Sequence, residues 1–316
     1  MSAGCKVVRC VGVHFTRVGV VATLASAALL VPFGATAAQR PGAGAAPTTY
    51  DWPVLPFDSQ HPVRAYFGDP RMRQDSHTFH TGIDISVPRE TPVFAVEPGR
   101  VRFIDAKAIA VRSRGRTLQY WHITPAVRDG QYVRRHAFLG RTLATFNHLH
   151  LSEFSHGKLV NPLRPGGLTP FDDTTIPTIG KIAFWQTGTT IETAAVRGSV
   201  DIVADSFDTA EGVQPQPWPV APALIRWRVS GGNEQVGAWH VAVDFRERVL
   251  PSSRFPLVYA PGTRPDHLGH AGRFRFYLAH RWNSATVPDG ASFLQVEATD
   301  AHGNTGVAVV PFDVDN

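Results

Sequence analysis

The chain has 316 residues, enough for two domains at ~100–200 residues each. With 43% hydrophobic and 18% charged residues, a packed core is predicted and bulk disorder is excluded. Basic residues outnumber acidic ones (net charge +5) but form no long block, and the 27 Arg against 4 Lys read as a GC-rich genome rather than a nucleic-acid footprint. Only Cys5 and Cys10 are present, which excludes a disulfide scaffold and any Cys-ligated metal in the body of the protein.

Residues 1–37 read as a signal peptide. Lys6, Arg9 and Arg17 lead, an uncharged run follows from Val18 to Gln39, and Pro32 and Gly34 break it. Ala35-Thr36-Ala37 is the small-x-small pattern that a signal peptidase reads. The uncharged run is just long enough to serve as a retained anchor, but the break and the small residues favour cleavage. Removal leaves a net charge of +2 and no thiol, and no second apolar run could span a membrane. The expected location is secreted, at the cell surface or wall, or periplasmic where an outer membrane exists.

Residues 38–49 read as a flexible lead-in. From 50 to 165, short apolar runs such as Thr91–Val96, Gly99–Ile104 and Ala108–Val111 are cut by Gly and Pro every ten or so residues. Helical periodicity is nearly absent, so the pattern is all-β. Residues 166–178 are Pro- and Gly-rich and read as a linker. From 179 to 316, strict alternation in Ser199–Ala204, Ala223–Val229 and Trp239–Phe245 predicts about seven strands, an antiparallel immunoglobulin-like β-sandwich.

Eight of the 14 histidines lie between His61 and His156. In His148-Leu149-His150-Leu151-Ser152, strand alternation puts both imidazoles and Ser152 on one face and both leucines on the other. Such a pair suits one metal, or one metal and one proton carrier. His80 and Asp84 flank Gly82, which permits a tight backbone course. Ile83 and Ile85 point to the core and leave Asp84 directed elsewhere. Two His and one Asp are the donor set of a catalytic Zn²⁺ with its fourth position left to water. His122, in Tyr120-Trp121-His122-Ile123, is a candidate proton carrier or oxyanion stabiliser beside them.

These motifs, H-x-G-x-D, aromatic-x-His and H-x-H in order, resemble the lysostaphin-type (LytM-like) zinc metallopeptidases, which cut peptide bonds in bacterial peptidoglycan. Phe67-Gly68, Thr91-Pro92-Val93, Asp129-Gly130 and Asn161-Pro162-Leu163 agree. The resemblance implies an all-β duplicated hybrid-motif catalytic domain over 50–165. It implies one Zn²⁺ on His80, Asp84 and His150, His148 as general base, and His122 orienting water or stabilising an oxyanion. It implies peptidoglycan peptides as substrate, and the charge pattern gives no reason to expect a nucleic-acid partner. The chain departs from the family in a shortened turn at Leu139–Asn147, and in Ser152 where an acid is usual, with Glu153 following. Two further readings compete. One is a non-catalytic wall-binding regulator of other hydrolases, against which the complete ligand set speaks. The other is a phosphocarrier-like domain, against which the export signal speaks.

Overall fold

A computed structural model describes residues 49–214, 218–231, 236–266 and 270–316. The expected signal peptide and nearly all of the expected lead-in lie outside the described residues. Strands dominate, as the alternation predicts. In the first half they are β1 (Val63–Ala65), β2 (Pro70–Arg73), β3 (Ser76–Phe79), β4 (Ile83–Ser86), β5 (Pro92–Phe94), β6 (Gly99–Asp105) and β7 (Ala108–Arg112). They continue with β8 (Arg116–Trp121), β9 (Ile123–Pro125), β10 (Tyr132–Val133), β11 (Phe138–Thr142), β12 (His148–Ser155) and β13 (Lys158–Val160).

Eight of these form one open sheet in the order β1-β4-β12-β8-β7-β6-β10, with β13 on β12. A three-stranded sheet β5-β11-β9 shares its core, and β2-β3 is a separate hairpin. All pairings are antiparallel, and strand β12 lies between β4 and β8. Its Leu149 and Leu151, with Ile83 and Ile85 of β4, are fully buried, so the polar partners on the opposite face of each strand share the other side of the sheet.

The second half contains β14 (Thr178–Gln186), β15 (Ser199–Thr209), β16 (Pro219–Val220), β17 (Leu224–Gly231), β18 (His240–Asp244), the one-turn helix α1 (Phe255–Val258), β19 (Arg275–Asn283), β20 (Gly290–Thr299) and β21 (Thr305–Val314). One four-stranded sheet runs β14-β15-β16 with β19 on β15, and another runs β18-β17-β20-β21. Val200, Ile202, Trp227, Phe276 and Leu294 from both sheets meet in one apolar core. Neither sheet closes into a barrel.

The two halves are welded rather than strung together. Phe67 and Phe79 of the first half belong to the core of the second. The Phe79 ring packs on Phe245, Phe255 and Tyr259 at 5.4–5.9 Å between centroids, and the Tyr259 hydroxyl donates to the Gly68 carbonyl (2.8 Å). Gly68 has φ +96°, and a Cβ there would lie 2.4 Å from the Phe245 ring, so glycine is required on both counts. The segment expected as a linker is packed too. Leu168 and Phe171 are buried in the first core, Trp52 donates to the Pro170 carbonyl (2.7 Å), and the Tyr66 hydroxyl donates to Asp173 (3.0 Å). Among the described residues no helix is long and apolar enough to cross a membrane.

Candidate metal and catalytic site

The polar face of the central sheet supplies the site. Register places His150 opposite Asp84 of β4 on one side and Trp121 of β8 on the other. His80 comes from the turn after β3 and is brought in by Gly82. A Cβ at Gly82 would lie 2.3 Å from the Leu151 carbonyl oxygen and 2.9 Å from His150 Nε2, so only glycine lets this turn lie against β12. The His80 backbone is fixed at both ends, its N–H donating to the Asp69 carbonyl (2.8 Å) and its carbonyl accepting from Gly68 N–H (2.9 Å).

The His80 ring is almost fully buried. Its Nδ1 sits 2.9 Å from the Tyr66 carbonyl, which can only accept, so Nδ1 carries the proton and Nε2 presents a lone pair. That lone pair meets His150 Nδ1 at 2.8 Å and Asp84 Oδ1 at 3.2 Å, while His150 Nδ1 and Asp84 Oδ1 are 2.9 Å apart. The outer atoms are held from behind. Asp84 Oδ2 accepts from Arg71 Nη2 (2.9 Å), and His150 Nε2 pairs with Ser152 Oγ (2.8 Å). With Nε2–H donating to Ser152, His150 also turns a lone pair inward.

Three lone-pair atoms pressed together repel unless a cation sits among them. Tetrahedral bonds of ~2.0–2.1 Å put donor atoms ~3.3 Å apart, and these edges of 2.8–3.2 Å fall slightly inside that figure. Two imidazoles and a carboxylate are also the chemical set for a catalytic divalent ion. His80, Asp84 and His150 therefore fit a metal, and their donor atoms lie within 4.8 Å of one another.

The remaining two histidines stand beside this group. His148 Nε2 is 4.0 Å from Asp84 Oδ1, and its Nδ1 is buried with no hydrogen-bond partner. The His122 ring meets it edge-on at 4.8 Å and stacks on Phe146 at 4.2 Å. His122 has φ +66°, the left-handed turn between β8 and β9 that re-aims its imidazole.

Burial lowers the imidazole pKa values. His80 falls to about 3, through burial and the Arg71 charge against the opposing pull of Asp84. His148 falls to about 4, through burial with Asp84 opposing and His122 adding, and His122 falls for the same reason, with His150 adding. Burial works to raise the Asp84 carboxyl. The close His80 and His150 imidazoles and the Arg71 charge outweigh it and hold the group well below the usual carboxylate range. Near neutral pH Asp84 is thus a carboxylate facing the neutral imidazoles of His80 and His148.

These side chains line a groove of about 690 Å³. Its floor is His80, Asp84, His122, His148 and His150, and Val249, Leu250 and Ser252 of the second half form part of its wall. All five residues singled out from the sequence converge. Sequence reasoning missed Arg71, Phe146 and the Val249–Leu250 wall. Ser152, expected on the imidazole face and noted as a departure, occupies the hydrogen-bonding position behind His150, while Glu153 points to the opposite face and is fully buried.

Residues 78–162 match the family model described as Peptidase family M23, about a quarter of the chain. The lysostaphin-type resemblance read from the sequence holds over that segment, which is an M23-family segment. Among solved structures, the chain is similar to Csd3 of Helicobacter pylori (20% identity, 37% of this chain and 34% of that one, TM-score 0.32). It is similar to a zinc-containing peptidase from Vibrio cholerae (21% identity, 35% and 37%, TM-score 0.30). It is also similar to a point mutant of the catalytic domain of the prophage-encoded M23 protein EnpA from Enterococcus faecalis (24% identity, 36% and 98%, TM-score 0.29). The chain spans about a third of the length of the Helicobacter protein. No curated protein matches it.

Proposed function

We propose that the protein is an exported zinc endopeptidase that hydrolyses peptide bonds of bacterial peptidoglycan, with residues 50–165 as the peptidase domain and 179–316 as an immunoglobulin-like sandwich. The observation that carries this reading is the mutual approach of His80 Nε2, Asp84 Oδ1 and His150 Nδ1 to 2.8–3.2 Å. The segment of family M23 around them supports it. Export rests on the basic lead, the uncharged Val18–Gln39 run and the Ala35-Thr36-Ala37 pattern.

His80, Asp84 and His150 would hold the ion. Bound there, zinc polarises a peptide carbonyl and makes a nearby water acidic. His148 is the general base. It is neutral above about pH 4 and has an unpartnered ring nitrogen, so it can take a proton from the attacking water and hand it to the leaving amine. His122, propped on Phe146, orients that water or donates to the developing oxyanion. Arg71 holds Asp84 Oδ2 and so fixes which oxygen faces inward.

The test is zinc content together with mass spectrometry of fragments released from defined peptidoglycans. His80→Ala and Asp84→Ala lose the metal. His148→Ala keeps it and loses ~10²–10⁴-fold in rate. Stoichiometric zinc in the wild type with no product from any wall preparation overturns the peptidase reading in favour of a regulator.

A further inference from the structure

A second cleft lies at the far end of the same sheet. It has a volume of about 750 Å³ and is lined by Arg100, Arg112, Arg114, Arg135, Glu97 and Tyr132 among others. The register explains how it is built. Tyr132 of β10 lies opposite Arg100 of β6, and Arg100 lies opposite Arg112 of β7. Directly opposed residues share a face, so one aromatic ring and two guanidinium groups stand in a row across three strands. Arg114 follows in the turn after β7.

Like charges directly opposite each other destabilise a sheet. Elsewhere in this molecule several half-buried arginines are matched to carboxylates, as Arg164 is to Glu153, Arg226 to Glu297, and Arg273 and Arg275 to Asp205, and others to side-chain amide oxygens, as Arg64 is to Asn147 and Arg228 to Gln295. Here the matching stops. Arg112 and Arg114 are exposed and make no hydrogen bond or ion pair with the described residues. Arg100 reaches only the Gly130 carbonyl (3.2 Å), which leaves its charge unbalanced. Arg135 is paired with Asp51 (2.7 Å). The single carboxylate of the lining, Glu97, is taken by Arg116.

We propose that this cleft binds an anionic glycan strand, a carbohydrate polymer carrying carboxylate groups. The unpaired guanidinium row supplies the charge complement, and guanidinium forks match carboxylates two bonds at a time. Tyr132, 59% exposed, supplies the flat apolar face that a sugar ring covers and a bare polyanion does not need. The site is separate from the groove. Arg112 pairs with Thr117, and Trp121 of the groove is four residues further along β8, ~13 Å away. The inference therefore stands whether or not the groove hydrolyses peptides.

The test is equilibrium binding of the full chain to soluble oligogalacturonate, with neutral dextran and inorganic polyphosphate as comparison probes. Oligogalacturonate binds, dextran does not, and polyphosphate of the same charge binds about tenfold more weakly. The doubly substituted Arg112→Ala, Arg114→Ala protein, with an unchanged melting midpoint, binds oligogalacturonate at least about tenfold more weakly, and the Lys pair at these positions, which keeps the charge but not the fork, restores only part of the affinity. Tyr132→Ala weakens oligogalacturonate but not polyphosphate binding. His80→Ala changes neither. Equal affinity for polyphosphate and oligogalacturonate, or loss of binding in His80→Ala but not in the Arg variant, overturns the proposal.

Discussion

Strand β12 carries a buried polar cluster at each end, and the two are built on opposite rules. At the far end Glu153, fully buried, accepts from Arg164 through both guanidinium nitrogens (2.7 and 2.7 Å) and from the Tyr50 hydroxyl (2.7 Å), with Arg116 Nε at 3.1 Å. Every lone pair there has a hydrogen. At the near end the inward atoms of His80, Asp84 and His150 are all acceptors once the outer hydrogen bonds are assigned. A satisfied cluster fixes the strand in place, whereas an unsatisfied one is useful only to something that arrives.

That contrast can be broken from the satisfied end. Glu153→Ala strands Arg164 in a largely buried setting, while Arg116 keeps Glu97, and should cost ~3–5 kcal/mol in denaturant unfolding. Zinc bound per folded molecule should stay at the wild-type value. A parallel fall in metal content would mean that the two clusters are one unit. From the unsatisfied end the prediction is a pH dependence of the metal-free protein. His80 and His148 take up a proton near pH 6.5 when unfolded but only near 3 and 4 when folded. Unfolding then binds protons, so stability is full above about pH 6.5 and falls as the pH drops towards 4. His148→Gln should flatten that slope by about one proton, measured by urea titration after chelation. The smallest effect belongs to a surface pair. Lys181 meets Glu192 with both side chains more than half exposed, and Lys181→Ala should shift stability by less than about 1 kcal/mol.

Much of the near cluster was legible because strand period is exact at two residues. Leu149 and Leu151 buried, with His148 and His150 on the other face, follow from alternation alone, as does Asp84 between two core isoleucines. Arg71 was not legible, because its contact with Asp84 joins a hairpin to a sheet strand and depends on a close approach that no local pattern encodes. The acid expected two positions past H-x-H was absent, and only the fold shows Ser152 taking up the hydrogen bond there. Phe79 was not legible either, because the rings that bury it, Phe245, Phe255 and Tyr259, come from the other half of the chain. The segment 166–178 has a linker's composition, yet Phe171 and Leu168 anchor it, since apolar side chains between prolines still find a core.

Phe79 immediately precedes His80, and its ring lies in a core built mostly from residues beyond 180. Trimming the chain to residues 50–165 would bare that ring to solvent and slacken the neighbouring imidazole. Fragment studies of this protein would then report on a damaged pocket, and the two halves are better regarded as a single inheritable object than as interchangeable parts.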